Sequence, residues 1–182
     1  MTLFPFFQDI EGKTFLVIGG GVVAAEKVHR LRLFTDRILV IAEQTEINEV
    51  PVLLRPFRDE DIALGDYVIG ATDDPALNAH IAALCRETGK PVNIVDDPAL
   101  CSFVFPALVK RGDLTAAITT NGKSPAFAQY VRHELEDILP DRTEAILEEL
   151  YSMRSELKLT VPDQRDRARL LKERLTELLE EP

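Results

Sequence analysis

The amino-acid sequence predicts an α/β fold, a parallel sheet with helices on both faces, on two observations. Between Lys13 and about Phe105, short β-branched apolar runs alternate with stretches of helical spacing, the pattern of buried parallel strands joined by crossover helices. The first apolar run also passes directly into three consecutive glycines and then into a helix. The expected strands are Phe15 to Ile18, Ile38 to Ala42, Tyr67 to Ala71 and Val92 to Val95, with a further short one within Val52 to Phe57. Val22 to Phe34 and Ala76 to Thr88 are the expected helices.

Two further regions follow. From about Phe105 to Leu139, Leu114 to Thr119 reads as a strand after the turn Lys110-Arg111-Gly112-Asp113, and Ser124-Pro125 opens a helix by cap and first-turn chemistry. A hairpin plus one helix is too small to bury itself, so a second copy of the chain is expected to cover it, giving a homodimer. From Thr143 to Glu181, Ile146, Leu147, Leu150 and Met153, then Leu170, Leu171, Leu175, Leu178 and Leu179, repeat at helical spacing. Val161-Pro162-Asp163 divides this tail into two helices, with Asp163 as a cap. The expected boundaries are therefore 1–105, 106–140 and 141–182.

Composition narrows the function. The net charge of -10, from 31 acidic and 21 basic residues, opposes a nucleic-acid or anionic-membrane partner, which wants a basic face. No apolar run approaches the roughly 20 residues of a membrane-spanning helix, and residues 1–13 lack a secretion-signal pattern. A cytoplasmic protein is expected. Cys85 and Cys101 have no CxxC spacing and read as small packed residues, while His29, His80 and His133 show no ligand spacing.

The chemistry-bearing residues gather at strand ends. Gly19 permits a tight turn, Gly21 allows backbone to approach a pyrophosphate, and Ala24 stands where a dinucleotide fingerprint has its third glycine. The helix that follows offers its N-H groups to phosphates. Glu43 lies about two dozen residues on, near the place of the ribose-binding acid, and an acid there repels a 2'-phosphate, so NAD is preferred to NADP. Ala71, Thr72, Asp73 and Asp74, and Asn93 with Asp96 and Asp97, end later strands on the same sheet edge. Asp73 and Asp74 serve equally well as helix caps, and one of Asp96 and Asp97 serves a turn. Thr120, Asn121, Gly122, Lys123 and Ser124 form either a local anion site or an ordinary capped turn.

Taken together, the chain resembles the precorrin-2 dehydrogenase and sirohydrochlorin ferrochelatase family, the N-terminal part of siroheme synthases. The resemblance rests on Phe4-Pro5-Phe6-Phe7, Gly19 to Ala24 with Lys27, Ala71 to Asp74 with Asn78, Val92 to Asp97, Ser102-Phe103 to Pro106, and Thr119 to Pro125 before Arg132 and Glu136. It implies a homodimer with a Rossmann-type parallel sheet domain, a small α+β dimerisation module and a C-terminal helical domain. NAD-dependent oxidation of precorrin-2 to sirohydrochlorin, and in some members insertion of Fe2+, are the implied activities. By resemblance, Val22, Val23, Glu43 and Gln44 contact the cofactor and Asp96 acts in catalysis. By its chemistry the Asp96 carboxylate is also an expected station for iron, and the turn from Thr120 to Ser124, with Lys123 and the helix end, is expected to meet the anionic tetrapyrrole. Thr120 stands where some members carry a phosphorylated serine. The methyltransferase domain of larger siroheme synthases is absent, so this chain is not expected to make precorrin-2. Two rivals are an NAD-sensing regulatory module without chemistry and a dehydrogenase for a small substrate. The latter lacks the Tyr-x-x-x-Lys pair, because Tyr67, Tyr130 and Tyr151 are followed four residues on by Ala71, Glu134 and Ser155.

Overall fold

A computed structural model describes residues 2–180. The chain forms two compact units, one ending at Phe105 and the other starting at Pro106. In the first unit, β1 (Phe15–Ile18), β2 (Ile38–Ala42), β3 (Val52–Leu54), β4 (Tyr67–Gly70) and β5 (Val92–Ile94) form one sheet in the order β3-β2-β1-β4-β5. Every pairing is parallel. Helices α1 (Val22–Leu31) and α2 (Pro75–Glu87) make the crossovers.

The apolar strands are continuous because both sheet faces are covered. Phe15 and Val17 pack in a cluster with Ala24, Val28 and Leu31 of α1, whereas Leu16 and Ile18 pack with Ile81, Ala82 and Cys85 of α2. Side chains along a strand alternate between faces, so one four-residue strand feeds two cores. Each fully buried Leu or Ile contributes about 1.5–3 kcal/mol.

Several elements are shorter than the sequence suggests, for local reasons. β3 stops at Leu54, ahead of Pro56, which has no N-H for the ladder. α1 ends at Leu31, and the chain tightens there, with the Leu33 and Phe34 amides reaching carbonyls only three residues back. Two 3-10 turns, Asp59–Leu64 and Pro98–Leu100, have no periodic signal in the sequence.

The second unit holds the antiparallel hairpin β6 (Ala107–Arg111) and β7 (Leu114–Ile118), then α3 (Pro125–Ile138), α4 (Thr143–Thr160) and α5 (Gln164–Glu180). Lys110 and Arg111 belong to β6, so the turn is Gly112-Asp113 alone, with Gly112 at φ +52°. α3 packs on β6. The Asp163 carboxylate accepts from the amides of Arg165 and Asp166, which fixes the break between α4 and α5. An Arg174–Glu149 ion pair of 2.6 Å ties these two helices together. Glu181 lies outside the described residues. No helix among the described residues is long and apolar enough to cross a membrane.

Candidate functional site

The order of the strands sets the position of the site. From β1 the chain runs outward to β2 and β3, then returns to place β4 and β5 on the other side of β1. Ligands of open parallel sheets bind beyond the strands' carboxyl ends at that reversal. A cleft of about 480 Å³ lies there, lined by Gly19, Gly20 and Gly21, by Glu43 and Gln44 after β2, and by Ala71 and Thr72 after β4. Residues Arg55 to Phe57 and Asp73, Asp74 and Leu77 complete it.

The three glycines do different work. Gly19 has φ +123°, and a Cβ on it would overlap the Ala71 carbonyl. A Cβ on Gly20 would overlap the Gln44 carbonyl, and the Gly20 carbonyl accepts from the Thr45 hydroxyl at 2.9 Å. Both residues let the strand-end loops close on the turn. A Cβ on Gly21, in contrast, would meet nothing within 4 Å. Gly21 is the N-cap of α1, and no side chain caps that helix. Open space in front of uncapped amides fits a diphosphate. Ala24 is fully buried against the sheet, as a fingerprint's third small residue should be.

The β4 loop is clamped from behind. The Thr72 hydroxyl donates to the Asn78 side-chain oxygen at 2.8 Å, and the Asn78 amide returns a bond to the Thr72 carbonyl at 3.0 Å. Asn78 itself is buried. Asp74 is the α2 cap, its carboxylate accepting from the Ala76 and Leu77 amides. Asp73 lines the cleft.

Val22 and Val23 start α1, exposed by 87% and 40%. Asn93 does not line the cleft. It is buried, and its amide donates to the Phe103 carbonyl at 3.0 Å and reaches the Cys101 sulfur at 3.5 Å. A polar residue inside a buried strand must find such partners, so it anchors the segment after β5.

Asp96 and Asp97 separate cleanly. Asp97 accepts from the Ala99 amide at 3.1 Å and caps the 3-10 turn. Asp96 is exposed and held at φ +60°, a left-handed conformation that costs an L-residue energy and often marks a functional position. Lys27 lies near it, with its ammonium 4.7 Å from the centre of the Phe105 ring. Burial, and then the charge of Arg30, lower the Lys27 pKa, while Glu26, Asp96 and Cys101 act in the opposite direction. Burial likewise pushes the Cys101 thiol up.

In the second unit the Thr120 to Ser124 turn precedes α3. The Thr120 hydroxyl accepts from the Ser124 amide and donates to the Ser124 carbonyl, both at 3.1 Å, and the Ser124 hydroxyl caps the Phe127 amide at 3.1 Å. Asn121 and Gly122 are left-handed, and Lys123 is exposed. A groove of about 740 Å³ in this unit is lined by leucines, among them Leu147, Leu150 and Leu171, together with Glu148, Arg154 and Lys172, and no glycine lines it. It is larger than the first unit's cleft, but it does not lie at the carboxyl ends of the parallel strands.

The sequence reading missed two cleft features. Gly20 was hidden because its need is a contact with Gln44, and Arg55 because its place depends on where β3 ends. Arg55 donates to Asp61 at 2.7 and 2.6 Å, and Asp61 is 3% exposed. These bonds hold the Asp61 carboxyl below the usual carboxylate range.

The sheet order, glycine turn and open helix end define the first unit as a dinucleotide-binding domain of the Rossmann type. The chain belongs to the family described as "Putative NAD(P)-binding", whose model matches residues 6–107. A second model, "Sirohaem biosynthesis protein central", matches residues 111–138. The chain is 35% identical to the siroheme synthase of Thioalkalivibrio sulfidiphilus, over 97% of this chain and 38% of that protein. It is 39% identical to the siroheme synthase of Ectopseudomonas mendocina, over 77% and 32%. The chain thus spans less than two fifths of the length of these relatives, and it is similar to their N-terminal part. A solved structure of SirC, a precorrin-2 dehydrogenase, superposes with a TM-score of 0.74 at 22% identity, covering 94% of this chain and 88% of that one. That likeness is one of fold.

Proposed function

We propose that the chain oxidises precorrin-2 to sirohydrochlorin with NAD as the electron acceptor, in the cytoplasm, on the way to siroheme. The observation that carries the proposal is the uncapped start of α1 behind Gly21, beside Glu43, at the switch point of the sheet. The α1 amides, with Val22 and Val23, would hold the diphosphate, and Glu43 and Gln44 the ribose. Bound NAD supplies the acceptor for a hydride. Asp96, an exposed carboxylate on a constrained backbone, takes the proton that leaves the tetrapyrrole. Lys123 is the cation offered to the carboxylates of that substrate. Ferrous iron insertion belongs to the same proposal, with iron as a substrate and Asp96 as its carboxylate station.

Two copies of the chain are proposed to pair through the second unit, where Phe127, Tyr130 and Ile138 of α3 are exposed. A monomer at micromolar concentration in sedimentation would overturn this pairing.

The absorption spectrum of precorrin-2 incubated with NAD and the protein tests the activity. Asp96→Asn should lower the rate about 100-fold or more at unchanged NAD affinity, whereas Asp97→Asn should cost mainly stability. A native rate in Asp96→Asn removes the residue from the chemistry, and no spectral change with the native chain removes the activity.

A further inference from the structure

Arg55 sits where a cofactor's adenosine end is discriminated. Its backbone amide donates to the Ala42 carbonyl at 3.0 Å, which fixes it beside Glu43 and Gln44, and it lines the same cleft with Pro56 and Phe57. In dinucleotide folds an arginine in this neighbourhood accommodates the 2'-phosphate of NADP. Here the terminal edge of the guanidinium, Nη1 and Nη2, is already engaged. Nη1 donates to one Asp61 oxygen at 2.7 Å and to the Pro56 carbonyl at 2.9 Å, and Nη2 donates to the other Asp61 oxygen at 2.6 Å. Asp61 is anchored in turn by the Arg58 amide at 2.8 Å and is almost wholly buried. The Arg55 charge is therefore matched at bonding distance, and its plane is fixed. The side chain is still 28% exposed, and a guanidinium paired along its edge keeps a flat face on which a purine can stack.

We propose that Arg55 is the wall of an adenine subsite, and that Asp61, by occupying its hydrogen-bonding edge, selects NAD against NADP. The inference rests on the dinucleotide reading of the cleft and adds a specificity residue to it. It assigns Asp61 a role at a distance: Asp61 touches no cofactor and acts by positioning Arg55. Glu43 alone would repel a 2'-phosphate, but an unoccupied arginine next to it would offset that repulsion.

Calorimetry of the full chain with NAD, NADP and AMP tests the proposal. Arg55→Ala should weaken NAD and AMP about tenfold by losing the stacked face. Asp61→Asn should raise NADP affinity relative to NAD about tenfold by freeing the guanidinium edge, and adding Arg55→Ala should cancel that gain. Because Asp61→Asn also weakens a buried network, Arg55→Lys is the second probe. A lysine has no flat face and cannot pair bidentately with Asp61, so AMP should weaken while the NADP to NAD ratio rises. If Arg55→Ala and Arg55→Lys bind all three ligands as the native chain does, the proposal is wrong. A native chain that binds none of the three would instead overturn the dinucleotide reading itself.

Discussion

Two strand-to-helix junctions, one in each unit, both read in the sequence as turns that can bind an anion, and they differ in what they leave open. After β1, three glycines lead into α1, and no side chain caps the helix. After β7, Thr120 and Ser124 bond each other, and Ser124 caps α3. A helix start carries amides with no partner inside the helix. The glycine junction leaves its first amides without a side-chain cap, while the hydroxyl junction spends part of its capacity on itself. Glycine-rich and hydroxyl-rich turns are thus both compatible with anion binding by composition, and only the bonding separates them. For the second junction, Lys123 is the exposed charge that remains.

The largest effect expected from breaking this contrast is at Gly21. Its φ of -79° suits any residue, and a Cβ there has free space. Gly21→Val should therefore keep the melting temperature yet lower NAD affinity about 100-fold or more, because the side chain takes the diphosphate's space. Equal affinity in calorimetry would show that the open helix end is not the binding end.

Gly20→Ala probes the closed side of the same junction. Its Cβ would overlap the Gln44 carbonyl, so backbone must move, and a loss of about 2–4 kcal/mol of stability is expected in chemical denaturation. A variant as stable as the native chain would mean that the loop after β2 does not rest on this glycine.

Ser124→Ala should cost less, about 1 kcal/mol, the usual value of a lost N-cap, with NAD affinity unchanged. A parallel fall in NAD affinity would contradict the assignment of the dinucleotide to the first junction alone.

The smallest stability effect is expected at Lys123, which is exposed. Lys123→Gln should change stability by less than about 0.5 kcal/mol but raise the KM for the proposed tetrapyrrole substrate. An unchanged KM would leave the second junction as a structural cap.

The carboxylate facing Arg55 adds a pH test within the first unit. The folded-state pKa of Asp61 is lowered, first by its bonds to Arg55. Its stabilisation is thus present above the unfolded carboxylate value of about 3.9 and is lost as pH falls through the lower folded value. Acid unfolding of Asp61→Asn should show a shallower pH dependence than that of the native chain.

By itself the sequence determined the sheet, its crossover helices, the glycine turn and the caps at Ser124 and Asp163. Apolar period and capping are local properties, written within a few residues of where they act. It left open which of Asp96 and Asp97 serves the turn, and the bond from the Ala99 amide assigns that place to Asp97. Tertiary structure alone decided that Asn93 turns to Phe103 and away from the cleft, that Gly20 is needed for the closeness of Gln44, and that Arg55 is held by Asp61. Each depends on which buried polar group finds which partner across the fold. A buried polar group must be satisfied by whatever atom lies in reach, and that atom is set by three-dimensional position, which spacing along the chain does not encode.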